Sequence, residues 1–245
     1  MRLDLALVAA GLAPSRTRAR ALIEAGVVRL GGVPATRASA PVADLAALAV
    51  VVDPNPWVSR GALKLVHALD AFCLDPAGAV ALDLGASTGG FTQVLLARGA
   101  AEVWAVDVGH GQLAPQLAAE PRVHLRERLN VRSLTDADVP PPDFVVADLS
   151  FISLTKALPV PLALARRGAL LVALVKPQFE VGPARVGKGG IIRDPAAVAD
   201  AVAAVSGFLE DAGWRVLGTT DSPITGGDGN REVLLAARRA AAPGI

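Results

Sequence analysis

The sequence predicts an α/β fold: a mostly parallel sheet whose last strand pair is antiparallel, preceded by a small α+β module. Three observations carry that expectation. Apolar runs ending in Asp83, Asp107, Asp148 and Lys176 alternate with helical patterns, as in a doubly wound parallel sheet. The first such unit, residues 81–109, passes from strand to helix through a turn of small residues, Gly85-Ala86-Ser87-Thr88-Gly89-Gly90. Residues 1–40 hold six arginines against two acids in a chain whose net charge is only +1, which sets a basic segment apart from the rest.

A chain of 245 residues is long enough for one sizeable core with a small domain attached. The hydrophobic share of 52% and the mean hydropathy of +0.45 would suit a membrane protein. The long apolar runs, such as residues 169–175, instead suit buried parallel strands and fall short of the roughly 18 residues that span a bilayer. The start of the chain lacks the zones of a signal peptide, so a cytoplasmic protein with no membrane contact is expected. One cysteine, Cys73, allows no internal disulfide, and His67, His110 and His124 lack metal-ligand spacing, so no metal site is expected.

In chain order, residues 3–12 form a short amphipathic helix stopped by Gly11, and Pro14-Ser15 opens a second helix with Ser15 as N-cap. In that helix Ala19, Leu22 and Ile23 face inward. Arg16, Arg18 and Arg20 cannot all be buried, and arginines there can grip phosphate oxygens. Residues 26–33 read as a strand and glycine turn, and 50–52 as a later strand. Arg2-Leu3-Asp4, Ser15-Arg16 and Ala21-Leu22-Ile23 leading into Gly26-Val27-Val28 make this segment resemble the S4-like RNA-binding domain. That resemblance implies a module holding structured RNA by shape and phosphate contacts, with Arg2, Arg16, Arg18 and Arg20 as contacts. It spans residues 1–52. Asp53-Pro54-Asn55-Pro56-Trp57 continues neither helix nor central strand, so residues 53–60 read as a linker and 61–245 as the second domain.

The second domain opens with a helix over residues 61–72, whose buried stripe is Ala62, Leu65, Leu69 and Phe72, with Lys64 off it and free to point at a site. Strand, glycine turn and helix follow. Free amides at such a turn let an adenosine-type ligand approach, and Asp107, 22 residues past Gly85, stands near the offset at which an acid reaches a ribose hydroxyl. Ser87 stands where a dinucleotide site has its middle glycine, which disfavours a nicotinamide cofactor. Later strands cover residues 123–126, 143–148 and 169–175, with Asn130 in the loop after the first. A helix broken by Pro159 and Pro161 lies between the last two. Asp83, Asp107, Asp148 and Lys176 then share the carboxyl edge of one sheet, where ligands bind. Gly187-Lys188-Gly189-Gly190 lacks the remaining residues of a phosphate loop and reads as a flexible loop touching RNA through Lys188, with Arg60 a further RNA contact. Asp194-Pro195 starts a helix closed by Gly213, and strands over 214–219 and 232–237 pair antiparallel.

Hydride transfer would need a nicotinamide cradle and usually a Tyr or His donor; the chain has no Tyr and no His at a strand end. Methyl transfer fits better, because a sulfonium donor brings its own leaving group and the protein need only align an acceptor and manage one proton. With a ribose hydroxyl as acceptor, a lysine beside the oxygen can take the proton or stabilise the developing oxyanion.

Five stretches carry a second resemblance: residues 58–65, Asp83-Leu84-Gly85 through Thr92, residues 147–153, Val175-Lys176-Pro177-Gln178-Phe179-Glu180, and Gly229-Asn230-Arg231-Glu232. Residues 61–237 resemble FtsJ-type 2′-O-methyltransferases, a Rossmann-like fold. The whole chain resembles the TlyA family of hemolysin-named ribosomal RNA (cytidine-2′-O)-methyltransferases. The resemblance implies catalytic roles for Lys64, Asp148, Lys176 and Glu232, with Lys176 acting on the 2′-hydroxyl, Lys64 and Asp148 supporting it, and Glu232 placing the ribose. It implies an S-adenosylmethionine site at Asp83, Gly85, Ala86, Ser87, Thr88, Gly89, Gly90, Phe91, Asp107, Val108, Asn130 and Asp148, and ribosomal RNA or ribosomal subunits as partner. Ala62 departs from the family, where glycine is common. The hemolysin name raises a membrane-active rival, which the lack of a spanning or long basic amphipathic segment opposes. An inactive RNA-binding assembly factor is a second rival, opposed by retention of Lys64, Asp148 and Lys176.

Overall fold

The computed structural model describes residues 1–24, 26–51 and 56–241, with Lys188 lacking a described side chain. The chain divides into two compact units, Met1–Pro56 and Trp57–Ile245.

In the first unit, α1 (Leu3–Ala9) and α2 (Arg16–Glu24) pack with a three-stranded antiparallel sheet of β1 (Val28–Leu30), β2 (Val33–Pro34) and β3 (Leu48–Val50), ordered β2-β1-β3. Ser15 caps α2 as its sequence position predicts, its Oγ accepting from Arg18 N at 3.2 Å. Leu3, Leu7, Leu22, Ile23 and Val28 form the core, so the apolar stripes of both helices are spent on one small interior. The strand expected over 50–52 ends at Val50, and Val52 lies outside the described residues.

The second unit begins earlier than the sequence suggested. Trp57 packs against the core beside α3 (Ala62–Ala71), and Val58 N donates to Gln93 Oε1 at 2.7 Å, so residues 57–60 dock on this unit rather than linking two. Residues 53–55 of the expected linker lie outside the described residues. β4 (Val80–Leu84), α4 (Gly90–Ala97), β5 (Glu102–Asp107), α5 (Pro115–Ala118) and β6 (Val123–Glu127) build one half of a sheet. β7 (Phe144–Ala147), α6 (Leu154–Ala157), α7 (Pro159–Leu164), β8 (Leu170–Val175), α8 (Pro177–Glu180), α9 (Pro195–Asp211), β9 (Trp214–Asp221) and β10 (Val233–Arg239) build the other. The order is β6-β5-β4-β7-β8-β10-β9, parallel up to β8, with β10 antiparallel to both its neighbours.

Alternate residues along each strand face opposite layers. Leu82, Leu84, Val145, Leu171 and Leu235 meet α6, α7 and α9, while Ala81, Phe144, Val172 and Leu234 meet α3 and α4. The strand order reverses between β4 and β7, which opens the ligand crevice of such a sheet at their carboxyl ends.

Candidate active site

The crevice begins with a backbone contact. Asp148 N donates to Leu84 O at 3.0 Å, and a Cβ on Gly85 would stand 2.7 Å from Asp148 O. With φ at +84°, Gly85 is excluded from bearing a side chain by conformation and by space, and its absence lets the ends of β4 and β7 close on each other. Gly89 (φ +95°) is similarly pressed, its notional Cβ 2.3 Å from Leu117 Cδ1.

A cavity of about 510 Å³ lies beyond this contact. Six of the residues expected to bind cofactor line it: Gly85, Ser87, Asp107, Val108, Asn130 and Asp148. Asp107 Oδ2 accepts from Ser87 N at 2.8 Å and its Oδ1 from Gly109 N at 2.7 Å, so the acid first holds its own loop. A carboxylate has about four lone-pair sites, which leaves acceptor capacity for ribose hydroxyls. Val106, Val131 and Leu149 add apolar walls and Gln112 a further polar group, none of which the sequence marked.

Ala86, Thr88, Gly89, Gly90 and Phe91 are not among the lining residues; Ala86, Gly89, Gly90 and Phe91 are buried in the turn and the first residues of α4. Asp83 also stands apart from the cavity lining. It sits on the strand face turned to α4, is fully buried, and its Oδ2 accepts from Thr92 Oγ1 at 2.6 Å, while Oδ1 has no hydrogen-bond partner among the described residues. Burial pushes its carboxyl pKa up to about 7, against the lowering effect of Thr92.

The four expected catalytic side chains converge. Lys64 leaves α3 toward the sheet edge, Asp148 follows β7, Lys176 follows β8, and Glu232 precedes β10. Lys64 Nζ lies 2.6 Å from Glu232 Oε2 and 3.9 Å from Asp148 Oδ2; Lys176 Nζ lies 2.6 Å from Asp148 Oδ1. Lys64, expected off the buried stripe, is nonetheless buried, because Glu232 compensates its charge; Phe72, placed in the stripe, is only half-buried. Lys176 also donates to Ser150 Oγ at 2.8 Å, a partner the sequence reading missed. Two ammonium groups thus face two carboxylates, a neutral set in which Asp148 touches both lysines and also lines the cavity.

Two more residues lie in stretches that carry the resemblance but have no role in the sequence reading. Phe151 is 91% exposed at φ +65°, lies 5.4 Å from Phe179 in a tilted ring pair, and borders both this cavity and a second one of about 600 Å³. Asn230 is 1% exposed; its Nδ2 donates to Gly190 O and Asp228 Oδ2, both at 2.9 Å, and its Oδ1 accepts from Ile192 N at 2.8 Å. It ties the 187–192 loop to the turn before Glu232.

Of the expected RNA contacts, Arg60 is exposed just before α3, and the side chain of Lys188 lies outside the described residues. Arg2, Arg16, Arg18 and Arg20 belong to the first unit, where Arg2, Arg16 and Arg20 all pair with Asp4. Among the described residues no group of His, Cys, Asp and Glu has metal-site geometry, and no helix is long and apolar enough to cross a membrane.

Residues 57–239 match the family of FtsJ-like methyltransferases, and residues 1–44 match the S4 domain. Over 236 residues the chain is 52% identical to the 16S/23S rRNA (cytidine-2′-O)-methyltransferase TlyA of Mycobacterium tuberculosis, covering 96% of this chain and 88% of that one. It is 37% identical over 236 residues to Hemolysin A of Brachyspira hyodysenteriae, covering 96% and 98%. Among solved structures, a Streptococcus thermophilus protein described as a hemolysin has a TM-score of 0.78 and 37% identity, covering 99% of this chain and 90% of that one. Magnesium protoporphyrin IX methyltransferase from Synechocystis, with bound SAM, is 18% identical with a TM-score of 0.51, covers 74% of this chain and 79% of that one, and shares the fold alone.

Proposed function

The chain belongs to the FtsJ-like methyltransferase family, in the TlyA group that carries an S4 domain, and from that premise we propose the part each site residue plays. Its activity is S-adenosylmethionine-dependent 2′-O-methylation of cytidine ribose in ribosomal RNA. The single observation that carries the assignment of roles is Asp148, which lines the cavity and pairs with both lysines, joining a donor half to an acceptor half.

The cavity residues fit the cofactor. Asp107 keeps lone pairs for the ribose, and Val106, Val131 and Leu149 suit a purine face. Bound there, S-adenosylmethionine supplies an electrophilic methyl group on a sulfonium that is its own leaving group.

On the acceptor side, Lys176 donates to Ser150 and forms an ion pair with Asp148, and its three-donor ammonium keeps a donor for the ribose 2′-oxygen. Lys176 holds that oxygen in line and steadies the charge that builds on it. It passes a proton to Asp148 and takes the hydroxyl proton in return, so no proton is lost to bulk water during transfer. Lys64 anchors Asp148 from the other side, and Glu232 fixes Lys64 and places the ribose. The first unit holds the RNA through its arginines, with the ribosomal subunit as partner, a substrate that accords with a cytoplasmic location.

Transfer of labelled methyl groups to ribosomal subunits from cells lacking the protein tests these roles. Lys176→Ala is expected to abolish transfer while calorimetric binding of S-adenosylmethionine stays nearly intact. Full activity in that variant removes Lys176 from the mechanism.

A further inference from the structure

Three guanidinium groups share one buried carboxylate in the first unit. Asp4 has no exposed surface; Arg2 Nε lies 3.1 Å from its Oδ1, and Arg16 Nε and Arg20 Nε lie 2.9 and 3.4 Å from its Oδ2. Arg16 and Arg20 are one turn apart on α2 and so share a face, while Arg2 comes from the residue before α1.

We infer that Asp4 is a positioning residue that sets Arg2, Arg16 and Arg20 as one pre-ordered clamp for the phosphodiester groups of RNA. The inference rests on the reading that this unit binds ribosomal RNA.

Charge balance argues for it. One guanidinium suffices to neutralise Asp4, so the group carries a net charge of +2 at the surface. The three arginine side chains keep 45%, 51% and 51% exposure although each touches a carboxylate with none. Arg16 and Arg20 touch Asp4 through Nε, and Arg2 through Nε and Nη2; each contact uses one side of a planar group with five donors, and other donors can pair with phosphate oxygens in the two-pronged manner of arginine. Side chains already fixed by Asp4 lose less freedom when RNA arrives.

This reading makes an opposite prediction from simple charge attraction. Asp4→Asn adds one net positive charge, so attraction alone would tighten RNA binding; loss of positioning loosens it. The test is binding of the full chain to ribosomal subunits from cells lacking the protein, over a salt series. Three variants are compared: Asp4→Asn, Arg16→Lys/Arg20→Lys and Arg16→Ala/Arg20→Ala. Asp4→Asn is expected to bind roughly ten-fold more weakly, with a shallower salt dependence. The lysine pair keeps the charge and the Asp4 carboxylate but gives each position one compact ammonium, which cannot serve both partners. It is expected to lose affinity with an unchanged melting temperature, and to raise the KM for subunits at unchanged kcat. If Asp4→Asn fails to fold, the lysine pair decides. Wild-type affinity in the lysine pair, or wild-type or tighter binding by a folded Asp4→Asn, with weakened binding by the alanine pair, overturns the role of Asp4 alone. Wild-type affinity in the alanine pair overturns the RNA reading of this face and the clamp with it.

Discussion

Lys64 Nζ and Glu232 Oε2 stand 2.6 Å apart with side chains 9% and 3% exposed, a buried ion pair joining α3 to the strand that enters the sheet between β8 and β9. Removing one partner strands the other charge, at a cost of about 3–5 kcal/mol, whereas replacing both by apolar groups of similar volume is often neutral. Lys64→Met and Glu232→Leu are each expected to lose about that much stability, and the double variant to regain most of it while remaining inactive. Denaturant unfolding of the three proteins checks this; additive losses would show that the pair contributes nothing jointly to the fold.

Asp83 makes the stability of the fold depend on pH. Its pKa is raised to about 7 from an ordinary 3.8, so the folded chain holds a proton that the unfolded chain has released over that window. The stabilising contribution is complete below about 3.8 and is lost as pH rises through about 7, so folding weakens across that range. Asp83→Asn is neutral throughout and keeps a group that Thr92 can bond. Between pH 5 and pH 8 the variant is expected to gain on the native chain by on the order of 2 kcal/mol. A stability difference that does not change with pH would refute the assignment.

Why Asp83 and Asp107 part company explains how far the sequence reaches. Both end apolar runs, and the run, turn and helix are legible because period and turn chemistry are local. The facing of the last residue is not local. Asp83 lies on the strand face that α4 covers and bonds Thr92 beneath it, while Asp107 caps the loop at the cavity rim. Asp148 and Lys176 could be placed at one edge from strand ends alone, and both are there. The insertion of β10 beside β8 was not legible, since a hairpin's sequence does not say which of its strands docks. Asn230 and Phe151 were missed because a glycine-rich turn and an aromatic residue at positive φ carry no periodicity.

Phe151 holds a conformation that costs a residue with a side chain roughly 1–2 kcal/mol, yet is almost wholly exposed, so the fold gains little from its ring. Its position on the rim shared by two cavities gives the ring a use on the acceptor side, where an exposed aromatic face can stack on a base. Phe151→Gly is expected to raise stability by about 1 kcal/mol and to lower methyl transfer at least several-fold through the KM for RNA. Calorimetric melting and steady-state kinetics read the two effects; a variant with native kinetics would make the strained ring a structural accident.

Asn230 controls the other end of the acceptor site. Its three side-chain bonds reach the 187–192 loop and Asp228, and its carbonyl accepts from Gly226 N at 2.9 Å. Gly226 in turn lies so close to Glu232 that a Cβ there would stand 2.8 Å from Oε1. Asn230→Ala leaves Ile192 N and Gly190 O without these partners, a loss of about 1–3 kcal/mol for each buried group left unpaired. Water can reach a surface loop, so the loss is expected to appear mainly as local opening, with faster proteolysis within 187–192 and little change in the global transition. Because the same turn sets Glu232 against Lys64, kcat is expected to fall while binding of S-adenosylmethionine, on the far side of Asp148, stays unchanged. Asn230→Asp sharpens the distinction: it keeps the acceptor for Ile192 N, loses both donated bonds and places a carboxylate against Asp228, so it is expected to open the loop at least as readily. Faster proteolysis of the loop with native kcat in both variants would separate the loop from catalysis.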